Sequence, residues 1–113
     1  IVHSDDPSGS QRLNQEAAKA MAAGAEIGMP VSEDHAIQWM TINPAWALGL
    51  DDKIGSLEVG KNADVVLWTG DPFSVYSKPE KVWIDGALLY DRLDPSDQWR
   101  TDFELGFIQS KRN

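Results

Sequence analysis

The spacing of apolar residues changes once along this chain, from a helical period to a strand period, and that change restricts the fold more than any single motif. In residues 10–27, Leu13, Ala17, Ala20, Met21 and Gly24 recur three and four positions apart, so they share one helix face, with Arg12, Glu16 and Lys19 elsewhere on the cylinder. Ser10 is placed to cap this helix and Gly28 to end it. The stripe is mostly alanine and glycine, which suits a helix lying close against a sheet. A second helix is expected from Ser32, whose hydroxyl can accept first-turn amides, with Glu33 and Asp34 matched to the helix dipole, running to about residue 42. Asn43-Pro44 reads as N-cap and first residue of a third, short helix, with Gly49 following Leu48 as its terminator.

Beyond Asp51-Asp52 the period becomes that of strands. Residues 54–57, a Gly60-Lys61-Asn62 turn and residues 63–68, with the β-branched pair Val65-Val66, predict one hairpin that Gly70-Asp71-Pro72 breaks. Residues 81–84 and 87–90 predict a second, joined by Asp85-Gly86, a two-residue type I′ signal. Residues 1–4 read as a short strand stopped by Asp5-Asp6-Pro7-Ser8-Gly9. Asp94-Pro95-Ser96 opens a last helix in which Trp99, Phe103 and Phe107 are four apart. Helices followed by antiparallel strands, segregated along the chain, predict an α+β fold. Its small sheet would have exposed edges, which natural proteins normally cover.

Composition narrows the classes. At 113 residues the chain makes one domain at most, whereas a closed eightfold barrel needs about 250. With 10 Lys+Arg against 18 Asp+Glu the net charge is −8, and no basic stripe exists to neutralise phosphates, which argues against nucleic acid and anionic membranes as partners. No apolar run approaches the roughly 18 residues of a bilayer span. The absence of cysteine excludes disulfides and thiolate chemistry and fits a cytoplasmic protein. The first residue is not Met, and Ile1-Val2 read as the end of a strand, so the chain is expected to be cut from something longer.

The sharpest chemical feature is His3-Ser4-Asp5-Asp6. Side chains at i and i+2 of a strand share a face, so His3 and Asp5 could together approach a metal or act as base and acid. By spacing alone the simpler role prevails, in which the aspartates begin a turn and cap Ser8-Gly9. Catalytic zinc takes three protein ligands and a water, and His35, near a helix start, has no histidine four positions away. Asp51, Asp52 and Asp71 have the setting of turn residues, and Trp68 and Trp83 fall inside strands, where packing is their expected role. There is no phosphate-binding glycine motif.

Several segments together resemble a known family. Asn43-Pro44-Ala45 through Leu48-Gly49-Leu50, then the run from Ile54-Gly55-Ser56-Leu57-Glu58 through Gly60-Lys61-Asn62-Ala63-Asp64-Val65-Val66, then Gly70-Asp71-Pro72 and Val82-Trp83-Ile84-Asp85-Gly86, resemble the C-terminal region of the amidohydrolase superfamily of metal-dependent hydrolases, nearest its imidazolonepropionase-related group. The resemblance implies that residues 1–50 are the last strand-helix unit and following helices of a barrel. It also implies that residues 51–92 are hairpins of a composite β-sandwich and residues 93–113 a C-terminal helix or tail. Asp5, and not Asp6, matches the aspartate that ends barrel strand eight, approaches the metal and takes a proton from the attacking water; His3 would lie near that site. The implied parent activity is hydrolysis of C–N bonds other than ordinary peptide bonds, or of dipeptide-like amides, with a divalent metal, zinc by resemblance. The other metal ligands of that family are absent, so the 113 residues are expected to be inactive alone and to hold no metal. Implied partners are the missing N-terminal barrel, a small amide substrate in the parent, or a second copy joined through exposed sheet edges. The alternatives are a stand-alone interaction module and a subunit completing a barrel supplied by another chain.

Overall fold

A computed structural model describes residues 1–97, so the helix expected around Trp99, Phe103 and Phe107 lies outside the described residues. The first half is helical, as the 3.6-residue period requires: α1 (Pro7–Ser10), α2 (Leu13–Glu26), α3 (Glu33–Gln38) and α4 (Ile42–Ala47). The second half holds β1 (Val65–Trp68), β2 (Pro79–Ile84) and β3 (Ala87–Asp91), one antiparallel sheet in the order β1-β2-β3, closed by a 3₁₀ turn, Pro95–Asp97. The α+β expectation holds at that level. No helix among the described residues is long and apolar enough to cross a membrane.

Helix ends follow local chemistry. Ser32 caps α3, its hydroxyl accepting from the His35 amide at 3.3 Å. Past α2, Gly28 takes φ 77°, its amide reaches Ala25 O at 3.1 Å and the Met29 amide reaches Gly24 O at 2.8 Å. Past α4, Gly49 takes φ 69°, with Gly49 donating to Trp46 O and Leu50 to Ala45 O, both at 2.9 Å. Both pairs are the Schellman arrangement, which satisfies carbonyls a helix end leaves orphaned. The Met29 carbonyl also explains Gly24, where a β-carbon would lie 2.8 Å from that oxygen.

Other ends depart from expectation. Ser10 does not cap α2; it sits in α1, and its hydroxyl donates to Pro7 O at 2.7 Å. Asp6 and Pro7 start that separate turn, and α2 begins after Arg12 with no side-chain cap. The third helix starts after Thr41 rather than Asn43, and the Thr41 hydroxyl is already donated to Ile37 O at 2.9 Å. Residues 1–4 form no strand, because among the described residues they have no ladder partner; Val2 N donates to Trp39 O at 3.0 Å.

The largest correction concerns the first hairpin. Residues 54–57 are not a strand, and β1 pairs with β2 instead. Gly55 takes φ 90°, and a β-carbon there would stand 2.8 Å from Ala45 Cβ and 2.9 Å from Ile42 Cα, so this segment is pressed onto α4. Lys61 then ties the loop together: its Nζ, on a side chain only 10% exposed, donates to Asp51 O at 2.5 Å and Ser56 Oγ at 2.6 Å and faces Glu58 at 3.4 Å. The Asp85-Gly86 hairpin forms as its residues dictate, with φ 50° and 79°. Lys81 and Asp91 are cross-strand partners 3.1 Å apart, and the Leu93 amide, then Lys81, hold the Asp91 carboxyl below its ordinary range. Trp83 lies opposite Val65 on one side and Leu88 on the other, the cross-strand role expected of it.

Packing is by small residues. The buried apolar side chains among the described residues are Ala17, Ala36 and Ala45, one from each of α2, α3 and α4, while Trp46, Leu57 and Val59 are exposed. Asn14 Nδ2 donates to Pro72 O at 2.7 Å, a polar link between the helices and the sheet region. Gly55→Ala is expected to destabilise the chain by about 1–3 kcal/mol, through positive φ plus the clash with α4. Gly60→Ala, at φ 95° with open space around it, is expected to cost less. Urea unfolding of both variants checks this; equal losses would contradict the packing role.

Candidate functional site

Two adjacent aspartates near the N-terminus have opposite environments. Asp6 is the N-cap of α1: its carboxylate accepts the Ser8 amide at 3.1 Å and also the Ser8 hydroxyl. Ser4 Oγ closes the same turn, donating to Asp6 O at 2.5 Å and accepting from Asp6 N at 3.1 Å. A β-carbon at Gly9 would lie 2.8 Å from Ser4 Oγ, so a side chain there would have to displace that hydroxyl. The Ser8 hydroxyl, then its amide, and the charge of Arg12 hold the Asp6 carboxyl below the ordinary aspartate value of 3.8.

Asp5 has none of these backbone bonds. It is 94% exposed, and its Oδ1 lies 3.3 Å from His3 Nδ1. The sequence pattern thus brought the intended pair together, although at a bend rather than in a ladder, and left Asp6 to the turn. The chain on either side is fixed, by Val2 N to Trp39 O upstream and by the Asp6 cap downstream. His35 stands apart from this pair: it is exposed in α3, its ring edge-on to Trp39 at 6.0 Å. Asp71 serves its loop, accepting the Phe73 amide at 2.8 Å.

Among the described residues no group of three or more His, Cys, Asp or Glu side chains could hold a metal ion. His3 and Asp5 are two donors, one short of the three protein ligands of a catalytic zinc centre, so by themselves they do not fit a resident metal. Two surface hollows, one walled by Gly24, Ile27 and Met29 and the other by Leu57, Val59 and Lys61, include neither His3 nor Asp5. Sequence reasoning missed Lys61 and Asn14, whose partners lie 5 to 58 positions away and left no local signal.

The family model described as "Amidohydrolase family" matches residues 4–89. This chain belongs to the amidohydrolase family. It is 37% identical to amidohydrolase tasK of Hapsidospora irregularis, over 80% of this chain and 9% of that protein. It is 39% identical to urease subunit alpha 1 of Streptomyces avermitilis, over 79% of this chain and 17% of that subunit. The crystal structure of an amidohydrolase from Thermotoga maritima superposes with a TM-score of 0.67 and 40% identity, covering 78% of this chain and 22% of the other. The chain therefore spans less than a quarter of the length of these relatives.

The depressed Asp6 carboxyl gives a test of the turn. A carboxyl whose folded value is lowered adds stability above its unfolded value and loses it as pH falls through the folded one. The Ser8 amide shift, followed by NMR, is expected to titrate with a midpoint below 3.8, and Ser8→Ala to raise that midpoint. A midpoint at or above 3.8 in the unsubstituted chain would contradict the cap.

Proposed function

We propose that this chain is the closing segment of a metal-dependent amidohydrolase that cleaves C–N bonds other than ordinary peptide bonds, or dipeptide-like amides. In this reading residues 1–50 close a barrel, residues 51–92 contribute to a composite β-sandwich, and residues 93–113 form its tail. The observation that carries the reading is the split between the two aspartates within a chain of this family: Asp6 is committed to the turn, and Asp5 is open beside His3. The exposed carboxylate has the chemistry of a general base. It accepts a proton from the attacking water, whose oxygen bonds to the amide carbon; the same proton then passes to the leaving nitrogen as the C–N bond breaks. In this reading His3, whose Nδ1 lies 3.3 Å from Asp5 Oδ1, helps to orient the carboxylate.

The metal of the whole enzyme, zinc by resemblance, would take its other ligands from residues outside this chain. The absence of cysteine fits a cytoplasmic setting. Specificity in barrel enzymes sits on loops at the ends of several strands, so the substrate beyond its amide class belongs to those loops.

In an enzyme carrying this segment, Asp5→Asn is expected to lower kcat by about 10²–10⁴-fold, the range for loss of a general base. Asp6→Ala is expected to lower the melting temperature while leaving kcat near the parent value. Equal loss of kcat in both variants would contradict the assignment. The 113-residue chain with zinc is expected to hydrolyse no amide; hydrolysis that disappears in Asp5→Ala would show that the chain alone completes the site.

A further inference from the structure

We propose that Ser4 is a positioning residue for Asp5: its hydroxyl fixes the backbone that aims the Asp5 carboxylate toward His3. The proposal rests on the reading of Asp5 as the general base. Ser4 Oγ reaches across Asp5 to the residue beyond, donating to Asp6 O at 2.5 Å and accepting from Asp6 N at 3.1 Å. Each of these bonds closes a ring that contains the N, Cα and C atoms of Asp5. Peptide planes are rigid, so φ and ψ are the two soft backbone torsions of Asp5, and both lie inside those rings. The direction of the Asp5 Cα–Cβ bond is thereby set, and the approach of Asp5 Oδ1 to His3 Nδ1 at 3.3 Å then needs only a choice of side-chain rotamers.

The Ser4 hydroxyl is itself held in place. Val2 N donates to Trp39 O at 3.0 Å, which anchors the chain ahead of Ser4. Gly9 of α1 lies against Ser4, where a β-carbon would stand 2.8 Å from Oγ and 3.7 Å from Ser4 Cβ. Ser4 uses the backbone of Asp6 and not its carboxylate, which is engaged with the Ser8 amide and hydroxyl. The turn therefore has two separable parts, in which the Asp6 side chain caps α1 and the Ser4 side chain holds the backbone of Asp5. If Ser4 served only the stability of the turn, loss of either side chain would have the same kind of effect; a positioning role separates them.

Gly9 offers an independent way to move the hydroxyl. It lies in α1, outside the left-handed region, so alanine there meets no backbone strain and has the better helix propensity. The contact that its β-carbon would meet is Ser4.

Proton NMR of the 113-residue chain reads the geometry. The unsubstituted chain is expected to show a nuclear Overhauser contact between the His3 ring and the Asp5 β-protons, with Asp5 α–β couplings of a single rotamer. Ser4→Ala and Gly9→Ala are expected to lose the contact and average the couplings. Ser4→Thr, which keeps the hydroxyl, and Asp6→Ala, which removes the cap of α1, are expected to retain both. In an enzyme carrying this segment, Ser4→Ala is expected to lower kcat by about 10–10²-fold, the scale of loss when a reacting group is misplaced, with KM unchanged and Ser4→Thr close to the parent. Retention of the contact and couplings in Ser4→Ala, their equal loss in Asp6→Ala, or parental kcat in Ser4→Ala where Asp5→Asn is impaired would each overturn the proposal. Parental kcat in Asp5→Asn would overturn the hydrolase reading instead, and the NMR result would still decide whether Ser4 orders Asp5.

Discussion

Where Gly55 meets α4, the chain comes closer to a helix backbone than any side chain would allow, with Ala45 Cβ and Ile42 Cα inside 3 Å of the missing β-carbon. That contact draws residues 54–57 away from the sheet, and Lys61 locks the loop by binding Asp51 O and Ser56 Oγ. With its expected neighbour docked on a helix, β1 has β2 alone beside it among the described residues. The same reliance on close backbone approach runs through the helical half, where the buried side chains are alanines and Gly24 makes room for the Met29 carbonyl.

Features decided within four or five residues were legible in the sequence. Ser32 is a cap, Gly28 and Gly49 end helices in the left-handed region, and Asp85-Gly86 turns a hairpin, each because the chemistry that selects the conformation lies inside the motif. Features decided by distant contacts were not. Residues 54–57 carry a strand pattern, yet the partner that wins is α4, brought close by the glycine at 55. Ser10 and Asn43 have the right chemistry for caps but lose the position, because Asp6 and Pro7 start an earlier turn and the chain enters α4 at Thr41. Asn14 and Pro72, 58 positions apart, carry no pattern that points from one to the other.

At the candidate site the i, i+2 spacing of His3 and Asp5 was legible, and so was the turn that begins at Asp6. The division of labour between the two aspartates was left open by spacing, since both are acidic and adjacent. Geometry separates them physically: a carboxylate committed to a serine hydroxyl and a backbone amide is held ionised in one place, whereas one facing only an imidazole is open to a water or a metal. Membership of the amidohydrolase family, across residues 4–89, gives that open carboxylate its chemical context.

The central claim is that this chain contributes one carboxylate, Asp5, to a metal centre it does not complete. Calorimetric titration of the chain with zinc measures this directly. The account predicts no saturable high-affinity site. One zinc held per chain with nanomolar affinity, and lost in Asp5→Asn, would contradict it, because the 113 residues would then supply a full set of ligands.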